Sequence, residues 1–192
     1  MQADILIATL RDIAAFLNDQ KIAYALIGGM AASVRGEPRS TLDVDIIISC
    51  DVQRGLKLLD QLGSSRFRPL FDGVEQVLRT GLLLPLAHRE TGVKVDLALA
   101  MSGFDQGAIK ESTIADIGAG PTPVVSAEYL VVMKQLASRP RDLDDISKIL
   151  ARQGNAFDWP KTQSIATELG QAIDEDLISP LLEARRKFDR TN

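Results

Sequence analysis

The chain has 192 residues, of which 45% are hydrophobic and 25% are charged, and its formal net charge is −4. This length corresponds to one compact domain, or to a domain with a small helical appendage, and the composition excludes bulk disorder. The net charge excludes a uniformly basic nucleic-acid-binding protein, but it does not exclude a local basic patch.

Cysteine and histidine are almost absent from the chain. Cys50 is the one cysteine and His88 the one histidine. A disulfide within the chain and a zinc site built from cysteine and histidine are therefore both excluded. A divalent metal would need oxygen ligands, which favours Mg²⁺ or Mn²⁺. No signal-peptide pattern is present, and no apolar run reaches the ~20 residues of a membrane span. We therefore expect a soluble cytoplasmic protein without a membrane partner.

Hydrophobic periodicity predicts alternating helices and strands in the first two thirds of the chain. His88 is predicted to lie in a loop between these elements. In chain order, the predicted elements are a helix at 4–18, a strand at 24–27, a helix at 30–34, a strand at 44–49, a helix capped by Asp51, strands at 67–70 and 74–79 around a turn at Asp72 and Gly73, a strand at 93–99, and a mixed segment at 112–125.

Beyond Ser126 the pattern becomes entirely helical. Helices are predicted at 127–138, 143–152 and 160–169, followed by a helix at 173–188 that Pro180 interrupts. The sequence thus predicts an α/β part, residues 1–125, and a helical part, residues 126–192, that packs on it.

Three aspartates on predicted strands are the candidate metal ligands. Asp43 and Asp45 are two residues apart, so their side chains share one face of a strand. Neighbouring carboxylates repel each other unless a cation or a proton lies between them. Asp96 lies on another predicted strand between apolar residues, where an unpaired charge is costly. The alternative is that all three are solvated acids at strand ends, or that the first two pair with Arg39.

Gly28 and Gly29 lie between a predicted strand and a predicted helix. Backbone amides at such a position can hold a phosphate. A plain tight turn is the alternative interpretation.

These blocks together resemble a known superfamily. Gly28 and Gly29, thirteen further residues, Asp43-x-Asp45 and a later strand aspartate are similar to the nucleotidyltransferases with the DNA polymerase beta fold. The segment Arg-Ser-Thr-Leu-Asp-Val-Asp-Ile at 39–46 most resembles the branch that contains the AbiEii-type toxins of toxin–antitoxin systems. Residues 133–146 resemble the Lys-x-x-Ala and Arg-Asp-x-x-Asp helix pair of that branch.

The resemblance implies a minimal nucleotidyltransferase fold of the α/β (α+β) class, with a mixed sheet, flanking helices and a C-terminal helical bundle. It implies transfer of a nucleoside monophosphate from a nucleoside triphosphate to an acceptor hydroxyl. The acceptor would be a transfer RNA, a small molecule or a protein side chain, and an antitoxin protein would be a partner.

The resemblance also implies roles for individual residues. The metal ligands for Mg²⁺ or Mn²⁺ would be Asp43, Asp45 and Asp96, the last being a ligand or the base for the attacking hydroxyl. Lys134 would contact phosphates as a fourth catalytic residue. The residues that would bind or shape the nucleotide site are Gly28, Gly29, Arg39, Ser40, Arg141 and Asp145.

One departure from the superfamily pattern keeps a second hypothesis open. Gly29 stands where the superfamily often has a serine whose hydroxyl helps to bind a phosphate. A catalytically silent module that binds nucleic acid or a partner protein is therefore the alternative. Likewise, Lys134 also fits a surface lysine, and the acids around Asp145 also fit a solvated helix start.

Overall fold

The computed structural model describes residues 2–191. Within that range the chain forms nine α-helices and a seven-stranded mixed sheet, which is the predicted α/β (α+β) class. Two compact units are present. Unit 1 comprises the residues up to Met30 together with Ser40–Val125, and unit 2 comprises Ala31–Arg39 together with the residues from Ser126 onward. The sequence predicts an α/β part at 1–125, which includes residues 31–39.

The sheet of unit 1 is built around two parallel strands. Its order is β3-β4-β5-β2-β1-β7-β6, in which β2 pairs with β5, and β1 with β7, in parallel, while the other pairs are antiparallel. The strands are β1 (Tyr24–Leu26), β2 (Asp43–Ile48), β3 (Phe67–Pro69), β4 (Leu83–His88), β5 (Lys94–Leu99), β6 (Thr113–Asp116) and β7 (Pro121–Val124).

Apolar residues on the central strands form the core of unit 1. Val44 and Ile46 on β2 and Val95 and Leu97 on β5 are completely buried. Their burial follows from the position of both strands inside the sheet, where β-branched and aliphatic side chains pack well. The helices of this unit are α1 (Gln2–Asp19), α3 (Val52–Gln61), α4 (Val74–Gly81) and α5 (Gly103–Lys110). Helix α2 (Gly28–Arg35) begins in unit 1 and continues into unit 2 at Ala31.

Unit 2 contains the four C-terminal helices, and local sequence signals mark where three of them begin. Ser126 and Asp158 cap α6 and α8 with their side chains, and α7 begins at Pro140, a residue suited to a first helical position. The helices are α6 (Ala127–Ala137), α7 (Pro140–Gln153), α8 (Trp159–Ile173) and α9 (Ile178–Thr191).

Three local predictions were wrong. Residues 74–79, predicted as a strand, lie in α4, where the four-residue spacing of Val74 and Leu78 buries both side chains. His88 ends β4 and is buried, with Nε2 2.9 Å from the Asp12 carboxylate, rather than lying in a loop. Pro180 lies in the first turn of α9, where proline is tolerated, and the chain breaks before it, between α8 and α9.

No helix within residues 2–191 combines the length and the apolar character needed to cross a membrane.

Candidate metal and nucleotide site

Adjacent parallel strands bring the three strand aspartates of unit 1 together. The register between β2 and β5 pairs Asp45 with Asp96 and Asp43 with Lys94. Because side chains alternate along a strand, all four residues project from the same face. One carboxylate oxygen from each aspartate lies within 4.8 Å of the others. We call Asp43, Asp45 and Asp96 the aspartate cluster.

Burial and the crowding of like charges together raise the pKa of Asp45. Burial, followed by the nearby charges of Asp43 and Asp96, raises the pKa of Asp45 to about 6. A hydrogen bond from the Gly29 backbone amide and the charge of Lys94 act in the opposite direction without cancelling this effect. The cluster therefore has less positive charge around it than three ionised carboxylates need.

Two side chains of unit 1 bind the outer members of the cluster. The Lys94 ammonium lies 2.6 Å from Asp96 Oδ2, and this hydrogen bond raises the pKa of Lys94. Thr41 Oγ1 donates to Asp43 Oδ1 at 3.0 Å. The other oxygen of Asp96, Oδ1, is buried and has no hydrogen-bond partner among the described residues. A buried carboxylate oxygen without a partner is costly, so a cation or a hydrogen-bond donor at this atom would be stabilising.

Helix α2 begins directly against the aspartate cluster. Gly28 has a φ of +64°, a conformation that residues with a side chain rarely adopt. A Cβ atom built on Gly28 would lie 2.7 Å from Asp45 Cβ and would overlap the carboxylate. Both the backbone conformation and the space therefore require glycine at position 28, and the helix N-terminus can approach Asp45 closely enough for the Gly29 amide to donate to it.

The donor set fits a hard divalent cation. Magnesium and manganese prefer carboxylate oxygens, and three of these converge in the aspartate cluster. The unpartnered Asp96 Oδ1 and the raised pKa of Asp45 both indicate a place that a cation would stabilise. Asp43, Asp45 and Asp96 could hold Mg²⁺ or Mn²⁺.

A second group of predicted site residues meets within unit 2. The Lys134 ammonium lies 2.9 Å from Asp142 Oδ1 and 2.7 Å from Asp145 Oδ2. Arg39 reaches the same Asp145 carboxylate through two nitrogens, at 2.7 Å and 2.9 Å. The Lys134 side chain is only 5% exposed, so it is not a surface lysine.

Asp142 links this group to a further cation. Arg139 Nε lies 2.5 Å from Asp142 Oδ2. Burial alone would raise the pKa of Asp142, but hydrogen bonds from Arg139 and Lys134 hold it below its usual value. We call Arg39, Lys134, Arg139, Asp142 and Asp145 the ion-pair cluster.

The predicted site residues thus fall into three sets. Asp43, Asp45 and Asp96 lie together in unit 1, next to Gly28 and Gly29. Arg39, Lys134 and Asp145 lie together in the ion-pair cluster of unit 2. Ser40 and Arg141 lie on the surface.

Sequence reasoning missed two of the contacts to the aspartate cluster. Lys94 precedes Asp96 by two residues on a strand, and this period-two spacing was the signal that could have placed it beside the aspartates. Thr41 lies in an irregular segment before β2 and gave no such signal.

The structural comparisons match this chain to solved structures of the nucleotidyltransferase class. The chain covers 93% of a nucleotidyltransferase-like protein from Paracoccidioides brasiliensis, with 96% of its own length aligned, 18% identity and a TM-score of 0.52. No family model and no curated protein matches the sequence.

Two further solved structures with this fold are of proteins named for antibiotics. The antibiotic-resistance factor ANT(2'')-Ia aligns over 91% of this chain and 95% of its own, with 13% identity and a TM-score of 0.59. The lincosamide adenylyltransferase LnuA, solved with lincomycin bound, aligns over 71% of this chain and 91% of its own, with 17% identity and a TM-score of 0.50. These likenesses show that the chain has the nucleotidyltransferase fold.

Proposed function

We propose that this chain is a metal-dependent nucleotidyltransferase, which moves a nucleoside monophosphate from a nucleoside triphosphate to an acceptor hydroxyl. The observation that carries the proposal is the convergence of three carboxylate oxygens within 4.8 Å on adjacent strands of a nucleotidyltransferase fold. Three acids held so close, with a raised pKa at Asp45, need a cation to ionise fully.

The reaction makes one bond and breaks one bond at phosphorus. The acceptor oxygen attacks the α-phosphorus in line, the bond to the bridging oxygen breaks, and pyrophosphate leaves. A divalent cation held by Asp43, Asp45 and Asp96 would neutralise charge on the triphosphate. We assign the acceptor's proton to Asp96, through the carboxylate oxygen that the cation does not bind.

The remaining site residues belong to the proposal. The N-terminus of α2 at Gly28 and Gly29 is suited to an anion, because backbone amides and the helix dipole favour negative charge there. The Gly29 amide already donates to Asp45, so it would also hold the carboxylate in place. Roles for Arg39, Ser40, Lys134, Arg141 and Asp145 toward the nucleotide follow from the resemblance, and for Lys134 the role requires its ammonium to leave Asp142 and Asp145.

For the acceptor we favour the hydroxyl of a small molecule. Two of the proteins that share the fold over most of this chain are named for antibiotics, one a resistance factor and the other a lincosamide adenylyltransferase. In addition, Lys134 is buried in ion pairs with Asp142 and Asp145, and Arg39, whose side chain is 14% exposed, pairs with Asp145. This leaves less exposed positive charge for a long polyanion.

A toxin that modifies transfer RNA, with an antitoxin protein as partner, is the second candidate. The resemblance of residues 39–46 and 133–146 to the AbiEii-type branch favours it. The exposed Arg141 is a candidate phosphate contact for such an RNA. RNA binding that depends on this residue would show a salt slope that flattens by about one unit in Arg141→Ala.

The test is transfer of label from each of the four α-labelled nucleoside triphosphates, with Mg²⁺, to transfer RNA, to tobramycin or to lincomycin. We expect label in one acceptor and pyrophosphate release that Asp45→Asn abolishes. Magnesium-dependent triphosphate binding without transfer to any acceptor would point to the silent binding module. Absence of both metal and triphosphate binding would overturn the proposal.

A further inference from the structure

Lys94 is a charged residue of the aspartate face that neither the sequence motifs nor the proposed reaction uses. It lies opposite Asp43 in the parallel register of β2 and β5, and two residues before Asp96 on the same strand. Its ammonium lies 2.6 Å from Asp96 Oδ2. The side chain is 40% exposed, whereas that of Asp96 is 16% exposed, so the lysine reaches the carboxylate from the solvent side.

The ammonium and a divalent cation require the same oxygen atoms. The ligand atoms of the cluster lie within 4.8 Å of one another, and Lys94 already binds one carboxylate of that set. Its single charge is smaller than the combined charge of three ionised aspartates. A lysine ammonium sits on a flexible four-carbon stem and hydrates strongly, so it can leave a carboxylate for solvent at little structural cost.

We propose that Lys94 is the resident counter-ion of the aspartate cluster. Its ammonium holds Asp96 in the metal-free protein, competes with the divalent cation for the cluster, and moves off Asp96 when the cation binds. Lys94 thereby weakens cation binding in the protein without nucleotide and keeps the three carboxylates together until the cation arrives. This inference rests on the proposed function, because it takes the cluster to be the cation site.

The first test is Mn²⁺ binding to the full chain, measured by calorimetry and by the electron spin resonance signal of unbound Mn²⁺ at constant ionic strength. Lys94→Met removes the charge and keeps the length of the side chain. We expect it to bind Mn²⁺ about three- to tenfold more tightly than the wild type, since one competing charge a few ångströms away is removed from a partly exposed site. Lys94→Arg, which keeps the charge, should stay within about twofold of the wild type.

The matched control is Lys148→Met. Lys148 forms a 2.7 Å ion pair with Asp144 within α7, so it is another lysine–aspartate pair, but it does not belong to the aspartate cluster. Its replacement should leave the Mn²⁺ affinity unchanged.

Thermal melting gives a second readout that does not depend on activity. In EDTA, Lys94→Met should melt below the wild type, because its carboxylates lose their counter-ion, and Mg²⁺ should raise its melting temperature more than that of the wild type. Lys94→Gln replaces Lys94→Met if the methionine variant does not fold.

The Mn²⁺ measurements distinguish a failure of the proposed role of Lys94 from a failure of the proposed cation site. Equal Mn²⁺ affinity in the wild type and Lys94→Met, with binding lost in Asp45→Asn, would overturn the role of Lys94 and keep the cation site. No Mn²⁺ binding in either the wild type or Lys94→Met would overturn the cation site itself, and the role of Lys94 with it.

Discussion

The chain holds two groups of close aspartates whose surroundings are opposite. In the aspartate cluster, three carboxylates share one lysine, and the pKa of Asp45 is raised to about 6. In the ion-pair cluster, Asp142 and Asp145 share three cations, and the pKa of Asp142 is lowered. Acid-rich motifs identified both regions in the sequence, yet only the first lacks positive charge.

The balance of charge, rather than the number of acids, therefore separates a ligand site from a structural one. Carboxylates with a deficit of positive charge gain free energy when a cation arrives, whereas fully paired carboxylates gain little. On this basis we propose the aspartate cluster as the chemical site, whereas the ion pairs of Lys134 with Asp142 and Asp145 link α6 to α7. Five predictions test this division.

The largest expected effect is the loss of transfer activity in Asp45→Asn. We expect a decrease of about a thousandfold or more in kcat, because the variant loses a charged ligand while the backbone is kept. In EDTA its melting temperature should equal or exceed that of the wild type, since a like-charge repulsion is relieved. Asp144→Asn, at an exposed aspartate of α7, is the control for activity. Wild-type turnover of Asp45→Asn under Mg²⁺ would contradict the assignment of the site.

Lys134→Met should produce the largest loss of stability. It leaves Asp142 and Asp145 buried with one cation fewer, and breaking such a buried pair costs about 3–5 kcal/mol. Urea unfolding measures the change, with Lys148→Met, at a partly exposed pair, expected within about 0.5 kcal/mol of the wild type. If Lys134→Met keeps its stability but loses transfer activity, the ion-pair cluster would have a role in the reaction rather than in stability.

Gly28→Ala sharpens the description of the aspartate cluster. The substitution adds backbone strain and a Cβ atom 2.7 Å from Asp45 Cβ. Gly73→Ala is the matched control, because Gly73 has a φ of +89° and no atom within 4 Å of the added Cβ. We expect about 1 kcal/mol of destabilisation for Gly73→Ala and about 2–4 kcal/mol for Gly28→Ala, from urea unfolding. Equal costs would mean that Asp45 moves aside readily.

The smallest expected effect concerns pH. Because the pKa of Asp45 in the folded protein is about 6, above its ordinary value of 3.8, the folded state holds this proton more tightly than the unfolded state. In EDTA, the ionisation of Asp45 should therefore lower the free energy of unfolding as pH rises from about 4 to about 6. Asp45→Asn should match the wild type near pH 4 and exceed its free energy of unfolding above pH 7.

Asp142 should behave in the opposite way. Its pKa is lowered in the folded protein, so its stabilising contribution is present above its ordinary pKa and is lost as pH falls through the folded value. Urea unfolding of the wild type and Asp142→Asn at a series of pH values checks this direction. A difference between the two proteins that grows toward acid would contradict it.

Hydrophobic periodicity made most helices and strands predictable, whereas ambiguous turn residues led to wrong predictions. The regular spacing of Leu6, Leu10, Ile13 and Leu17 predicted α1, and all four residues are buried. The turn at Asp72 and Gly73 suggested a hairpin, but Gly73 instead precedes α4 as its cap residue. Strand β4 was missed because it contains Pro85, and proline is rare inside strands.

The two clusters differed in how much of them the sequence predicted. Alternation along a strand placed Asp43 and Asp45 on one face, and the apolar neighbours of Asp96 marked it as a third carboxylate. In contrast, Arg39 and Asp145 are 106 positions apart in the chain, and nothing local to either residue predicts their bond. The resemblance placed both in one site, but it did not indicate that Lys134 would be buried between carboxylates.

The parallel pairing of β2 with β5 has a consequence for the kinetics of folding. Asp45 and Asp96 become neighbours only after the chain between the two strands has closed a long loop, and contacts of this kind form slowly. If the full set of cation ligands assembles after the rate-limiting step, Mn²⁺ should leave the refolding rate of the metal-free chain unchanged and slow its unfolding. The cation would then lengthen the lifetime of the folded state without guiding the chain toward it.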